Sequence, residues 1–536
     1  MSPLFSQTNM KRFSVFILFL ILIYGFSTGV RLHQHEVLSI GETVLTTDDG
    51  YRWVRFAKEI SEGSYVKDDD ALSPAAKPPA VPLISRTISA VSGVSGLSFE
   101  RAGSLMTVFL SGLFIFPLGM FFYLAGYPAS GVGAGLLGAL SFAYLSRTSA
   151  YQIDTDMLNL FFLSMGALCV FMAERGRAVL WSALAGITMY IFWLWYFHSG
   201  FTLVYFLLLM FAVRSHGLWA ISLSAFVYIV LASPFVFFSG FMNLFQFVDS
   251  SSVQHVYADV AELTVLPFTE TMKHVGTYWW LAVIGLLLSV ISGRHMVFMA
   301  VFYLLGLFAF TKGIRFAMFL SPLCGAGIGV LFDKCLPKRC ALGYAMVTAC
   351  LIFIPVYENL YIIPEPSLSS ETAALIKHLD ATEKDAVIAG IWDKGFAIEH
   401  LAGRRVLADG ASQFKQGAKA YADAIFQTDE RASADMLYDA SESIHVYLLF
   451  TPDMDNKMGG LLTTAGYKAV QDKNGVILTG IGNAESSQAI SLEDTVYFRL
   501  AVIGTADMQC FRLVYADGGA LRLYRLNQRC LKSNIH

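Results

Sequence analysis

Phe-Ser-Val-Phe-Ile-Leu-Phe-Leu-Ile-Leu-Ile-Tyr-Gly-Phe-Ser-Thr-Gly-Val, residues Phe13–Val30, is an almost unbroken apolar run preceded by Lys11-Arg12. A helix needs about 20 mostly apolar residues to cross a bilayer, and basic residues stay preferentially on the cytoplasmic side. The run therefore predicts a first membrane span entered from the inside. A cleavable signal peptide is the rival reading. The run is long for a signal core and many further spans follow, which favours an uncleaved anchor.

Working outward, 55% of the 536 residues are hydrophobic, only 15% are charged, and mean hydropathy is +0.55. A soluble domain is about a quarter charged, so most of this chain is built for lipid. The net charge of -3 comes without a basic stripe, so nucleic acid is not an expected partner. Further spans are expected near 104–126, 130–146, 157–173, 178–196, 199–213, 217–240, 277–292, 296–311, 316–333 and 341–362. Eleven spans result, in an expected range of about 11–13, with Pro234 and Gly240 marking a stretch that could hide irregular structure. Arg175/Arg177, Arg214, Arg294 and Lys334–Arg339 then all fall inside. The stretches 31–101, 147–156, 249–276 and everything after about 363 fall outside. The expected division is a transmembrane domain at 1–362 and a mixed α/β tail at 363–536.

In the tail, helices are expected at Ser370–Leu379, Ala418–Phe426 and Glu430–Asp439. Strands are expected at Asp385–Ile391, Ile444–Phe450, Gly475–Gly480, Val496–Ile503 and Cys510–Tyr515. Of seven cysteines, none has the paired spacing of a zinc site, while Cys510 and Cys530 could pair if the tail is extracytoplasmic.

Five features could carry chemistry. Asp48-Asp49-Gly50-Tyr51 in the first external stretch reads by itself as a turn. Asp154-Thr155-Asp156 precedes a span; it could cap the helix, or present two carboxylates to one hard cation. Glu262 stands in a polar loop with Lys273 and His274 nearby, which is ordinary solvated surface unless an anion is held. Arg147 and Arg315 lie on the outer side, against the positive-inside trend. Each could hold phosphate oxygens bidentately or pair with a neighbouring carboxylate. Last, Trp392-Asp393-Lys394-Gly395 reads as a strand ending in a turn with Trp392 in a core, or as an indole and carboxylate holding a hydroxyl.

The order of these features resembles the catalytic subunits of oligosaccharyltransferases, membrane glycosyltransferases of the GT-C type, in their single-subunit bacterial PglB-type branch. The similarity runs from about Thr46 to Met458. It implies transfer of a glycan en bloc from a polyprenyl-pyrophosphate lipid to Asn in Asn-x-Ser/Thr, at the periplasmic face of the bacterial inner membrane. It also implies one Mg²⁺ or Mn²⁺ held by Asp49, Asp154 and Glu262, with Asp156, Arg315 and Arg147 toward the lipid pyrophosphate. Trp392 and Asp393 would hold the sequon's +2 hydroxyl, Met458 or alternatively Lys457 would pack on its methyl, and His274 occupies the position where some members carry an Arg facing residue -2. Two departures stand out: Asp259-Val260-Ala261-Glu262 keeps only the glutamate of the family's Thr-Ile-x-Glu, and Ile391 replaces the first Trp of its Trp-Trp-Asp. The tail is also shorter than in well-known members, so accessory modules are expected to be missing. The alternatives are another GT-C enzyme acting on a hydroxyl or lipid acceptor, a transporter, or a scaffold without catalysis.

Overall fold

The computed structural model describes residues 7–39, 45–66, 72–74, 77–248, 263–276, 278–292, 294–335, 341–412, 416–472, 475–481, 489–505 and 508–531. The chain divides into two compact units. The first comprises Met1–Thr43, Ala80–Ser250 and Glu262–Glu365; the second includes Val44–Pro79 and Pro366–His536.

The first unit is helical, and each of the eleven apolar stretches has helix over most of its length. Among the described residues, Met10–Leu38, Phe99–Ala125, Asp156–Arg175, Ala178–Tyr196 and Ile314–Lys334 are each long and apolar enough to cross a bilayer alone. Leu218–Leu231 and Pro234–Met242 form an apolar helix pair bent by 92° at a break, the geometry of a broken span or a re-entrant loop. The break has a local cause. Proline disfavours the helical region for the residue before it and donates no N–H, and Ser233 sits at φ 69°. Pro128–Leu140, Gly200–Val213, His295–Phe310 and Gly343–Ile354 are shorter apolar helices. Pro128–Leu140 packs against Ala317–Cys335 with the two backbones nearly touching. A Cβ on Gly133 would stand 2.2 Å from the Gly325 carbonyl oxygen, and one on Gly325 2.1 Å from that of Gly133. Without a hydrophobic drive between helices in lipid, such small-residue contacts are what let spans associate.

Helix continues past the expected end of the first span, through Leu38. Its polar residues are satisfied by the turn they meet. The buried Arg31 guanidinium donates to the Thr148 carbonyl and Oγ1 (both 2.6 Å), to Ser27 Oγ (2.6 Å) and to the Ala139 carbonyl (3.2 Å). Gln34 accepts from the Ala150 N–H (3.2 Å) and donates to the Ile362 carbonyl (2.8 Å). Most of the stretch 31–101, expected as an external loop, is therefore helical, with Asp48–Glu62 and Leu83–Ser95 following.

The second unit holds two sheets. Strands β1 (Val387–Ala389), β2 (Arg405–Val406), β3 (Val446–Phe450), β7 (Phe511–Ala516) and β8 (Arg522–Leu526) form one, in the order β2-β1-β3-β8-β7. Pairing is parallel across β2-β1-β3 and antiparallel across β3-β8-β7. Strands β4 (Tyr467–Asp472), β5 (Gly475–Gly480) and β6 (Ile490–Ser491) form a small antiparallel sheet. The expected strand Val496–Ile503 is instead a π-helical turn at Phe498–Ile503. Its buried residues Val496, Tyr497 and Leu500 fall at helical spacing, and the Leu500 carbonyl accepts from Arg522 Nη1 (3.1 Å) and the Tyr524 hydroxyl (3.0 Å). Cys510 and Cys530 are disulfide-bonded, with Cα atoms 5.3 Å apart.

Candidate active site

In the first unit, the chain after Leu145 makes a series of turns before the span Asp156–Arg175 begins. Arg147 donates through Nε to Asp156 Oδ2 and through Nη2 to Asp154 Oδ2 at 3.3 Å. Asp154 Oδ1 accepts from the Thr155 N–H (2.6 Å) and hydroxyl (3.2 Å), and Asp156 Oδ1 accepts from Asn159 Nδ2 (2.7 Å). The Trp195 indole N–H donates to the Thr155 carbonyl at 2.8 Å. Asp156 is fully buried, whereas Asp154 retains 9% exposure. Burying two carboxylates at the end of a span is costly, and one guanidinium shared between them offsets part of that cost. Arg315 lies in a short 3₁₀ turn, Ile314–Phe316, and reaches the same place electrostatically. The Tyr196 hydroxyl feels Arg315, Asp156, Asp154 and Arg147 together, and His198 also lies close to Arg315. The structure thus gathers Arg147, Asp154 and Asp156 from one stretch of sequence and Arg315 from another. His274 stands apart from these contacts: its Nδ1 faces the Glu270 carbonyl at 2.8 Å and its ring packs edge-on against Phe142.

The second unit carries the other motifs. Asp48 and Asp49 open the helix Asp48–Glu62, where the helix dipole favours negative charge. Asp49 and Asp409 both act on the half-buried Arg52, whose guanidinium lies over the Phe396 ring at 5.4 Å. Trp392, 3% exposed, is part of the hydrophobic core beneath the sheet, with Tyr421 and Leu448. Its neighbours Asp393 and Lys394 turn into a polar cluster. Lys394 Nζ lies 2.7 Å from Asp453 Oδ2, 3.6 Å from Asp48 Oδ2 and 3.7 Å from Asp393 Oδ2, and donates to the Ser367 carbonyl at 3.0 Å. Burial pushes the Asp48 carboxyl up to about 7; Lys394 opposes this, while Asp393 and Asp49 add to it. Burial also raises Asp393, against the charges of Lys394 and Lys457. Burial alone would lower the Lys394 ammonium, but Asp48, Asp393 and Asp453 raise it above its ordinary value. Lys457 ends the 3₁₀ turn Pro452–Lys457, and Met458 opens the helix Met458–Thr464, packed partly against the core.

Glu262 lies outside the described residues. Among the described residues, no group of three or more His, Cys, Asp or Glu side chains could hold a metal ion. The chemistry of Asp49, Asp154 and Glu262, three hard carboxylates, suits Mg²⁺ or Mn²⁺. Sequence reasoning passed over Lys394, Arg31 and Gln34. Lys394 carried one usable signal, a charge inside a motif otherwise read as a core turn. Arg31 and Gln34 carried another: polar side chains one turn apart at the end of an apolar run.

No protein-family model matches the chain. It is 21% identical over 499 residues to the undecaprenyl-diphosphooligosaccharide–protein glycotransferase of Campylobacter jejuni subsp. jejuni serotype O:2, a match covering 78% of this chain and 68% of that protein. In structure it is similar to the archaeal oligosaccharyltransferase AglB from Archaeoglobus fulgidus, solved with an inhibitory peptide and a dolichol-phosphate. The TM-score is 0.68 at 12% identity, covering 93% of this chain and 79% of that one. A second structure of the Archaeoglobus fulgidus oligosaccharyltransferase, tethered to an acceptor peptide containing the NVT sequon, gives a TM-score of 0.66 at 12% identity, again over 93% and 79%. The fold, apolar helices followed by an α/β tail, is similar to that of these solved oligosaccharyltransferases. In sequence and in fold the chain is thus similar to oligosaccharyltransferases.

Proposed function

We infer that this membrane enzyme transfers a glycan en bloc from a polyprenyl-pyrophosphate lipid to the side-chain nitrogen of Asn in Asn-x-Ser/Thr. One observation carries the reading: an oligosaccharyltransferase fold in which Asp154 and Asp156 are held under Arg147 at the mouth of a membrane span. An anionic lipid head group needs cations at the membrane boundary, and Arg315 with Arg147 supplies them beside that turn.

A carboxamide nitrogen is a poor nucleophile because its lone pair is delocalised into the carbonyl. Hydrogen bonds from the Asn NH₂ to the carboxylates of Asp49 and Glu262 would localise that lone pair for attack on the anomeric carbon as its bond to the pyrophosphate oxygen breaks, one amide proton passing to a carboxylate, with inversion to a β-N-glycosidic link. Asp393 accepts the +2 hydroxyl, with Trp392 behind it and Met458 or Lys457 beside its methyl. His274 would stand toward residue -2. Asp49, Asp154 and Glu262 would hold Mg²⁺ or Mn²⁺, which when bound supplies positive charge opposite the departing pyrophosphate. The chain works as a single subunit in the bacterial inner membrane, with the tail in the periplasm. The Cys510–Cys530 disulfide supports that compartment.

The test is co-expression with a lipid-linked oligosaccharide pathway and an Asn-x-Thr reporter, followed as a mobility shift. The reporter should shift and its Gln-x-Thr form should not. Asp154→Ala should reduce transfer by roughly 100-fold or more with the protein still in the membrane, and chelator should do the same until Mn²⁺ is restored. Transfer to a hydroxyl or lipid acceptor with the Asn reporter untouched would overturn the assignment in favour of another GT-C reaction.

A further inference from the structure

Lys394 is a charged residue with 5% of its side chain exposed, and it is placed where four segments meet. It ends the 3₁₀ turn Trp392–Lys394; Asp453 begins another, Pro452–Lys457; Asp48 opens the helix that carries Asp49; Ser367 belongs to the segment before the tail's first helix, Ser370–His378. A lysine ammonium has three N–H donors and no acceptor. One points to Asp453 Oδ2 at 2.7 Å and one to the Ser367 carbonyl at 3.0 Å. The remaining charge faces Asp48 Oδ2 and Asp393 Oδ2 at 3.6 and 3.7 Å. Asp393 is thereby divided in function. Its Oδ2 looks toward the ammonium, while its buried Oδ1 has no hydrogen-bond partner among the described residues. A buried carboxylate oxygen without a donor is costly to keep, and a hydroxyl arriving from outside is the kind of group that would satisfy it.

We propose that Lys394 is a positioning residue for the acceptor: its ammonium fixes Asp393 against the Asp453–Met458 segment so that Asp393 Oδ1 is presented to the sequon's hydroxyl. The proposal rests on the reading above, in which Asp393 and Met458 meet the acceptor. Without the ammonium, Asp393, Asp453 and Asp48 become three mutually repelling carboxylates with no common counter-charge. The two acceptor-reading segments lose their shared anchor, while Arg147, Asp154 and Arg315 keep every contact described for them.

The experiment measures steady-state transfer by the purified full chain, varying an Asn-x-Thr peptide and the lipid-linked donor separately. Lys394→Met should raise the peptide KM about tenfold or more, with kcat and the donor KM within about threefold of the parent. Lys394→Arg, which retains the charge, should recover part of the loss. Asp453→Asn, whose native side chain is 39% exposed, should raise the peptide KM in the same direction. Combining it with Lys394→Met should add little, because both changes break one interaction. A merely structural role would instead lower the active fraction, and so kcat, with KM unmoved. Parent-like peptide KM in Lys394→Met and Asp453→Asn, or fully additive effects, would overturn the proposal while leaving the transferase assignment standing. Should Lys394→Met not accumulate, Asp453→Asn decides alone. Failure of the parent chain to glycosylate the peptide overturns the transferase reading itself, and the proposal with it.

Discussion

Arg147 is 7% exposed and touches both Asp154 and Asp156, so the ion pair and the proposed place beside an anionic head group would be one arrangement. Removing it leaves Asp156, fully buried, without its guanidinium. Breaking a buried pair by deleting one partner costs about 3–5 kcal/mol. Arg147→Met should therefore lower thermal stability in detergent together with transfer. Asp154→Asn leaves Asp156 to balance the guanidinium, so it should abolish transfer with a smaller fall in melting temperature; the opposite order would separate Arg147 from the buried pair. Residue types at this site were legible in the sequence. Asp154, Asp156 and Arg147 lie within ten positions, and outward arginines are unusual enough to notice. Lys394 was not legible, because its meaning depends on Asp453, nearly sixty residues away, and on Asp48, more than three hundred away.

The helix Asp48–Glu62 buries one face, including Tyr51, Val54, Arg55 and Phe56. Its partner is the helix Gly395–Leu401, which directly follows the Trp392–Lys394 turn. Arg55 Nη1 meets Glu399 Oε2 at 2.8 Å, and Tyr51 and His400 pack ring against ring at 5.9 Å. This junction sets the Asp49 end of one motif against the other. Burial pushes the Glu399 carboxyl up to about 8, with the Arg55 guanidinium opposing. A raised carboxyl binds its proton more tightly when folded, so its contribution is fully present below the ordinary carboxyl range and is lost as pH rises through about 8. The melting temperature should accordingly fall as pH rises from about 4.5 to about 8 and level off above. Glu399→Gln, which can still accept from Arg55, should flatten that fall; an unchanged slope would exclude Glu399 as its source. At this scale the apolar stretches of the first unit were readable because a membrane helix must satisfy its own backbone and present apolar side chains. The misread element, Val496–Ile503, is short, and its apolar residues fit either period until Arg522 and Tyr524 claim the Leu500 carbonyl.

For the molecule as a whole, sidedness governs chemistry: carboxylates, outward arginines and the tail's cysteine pair are all expected on one side of the membrane. Cys510 and Cys530 should resist maleimide labelling until reduced. Cys530→Ser, which opens a loop spanning 20 positions, should cost the tail about 3 kcal/mol, read as a lower melting temperature. Free labelling of both thiols in the native chain would place the tail in a reducing compartment. The sequence by itself determined the membrane class, the eleven apolar stretches, the α/β character of the tail and the order of motifs that resembles an oligosaccharyltransferase. Each of these follows from local composition and period, which neighbouring residues share. Only the tertiary structure decided that Val44–Pro79 packs in one unit with Pro366–His536, that Arg31 and Gln34 hold the Asp154 turn through its backbone, and that one ammonium serves three carboxylates. Those are contacts between residues distant in the chain. Burial and charge compensation choose them among many partners of equal local merit.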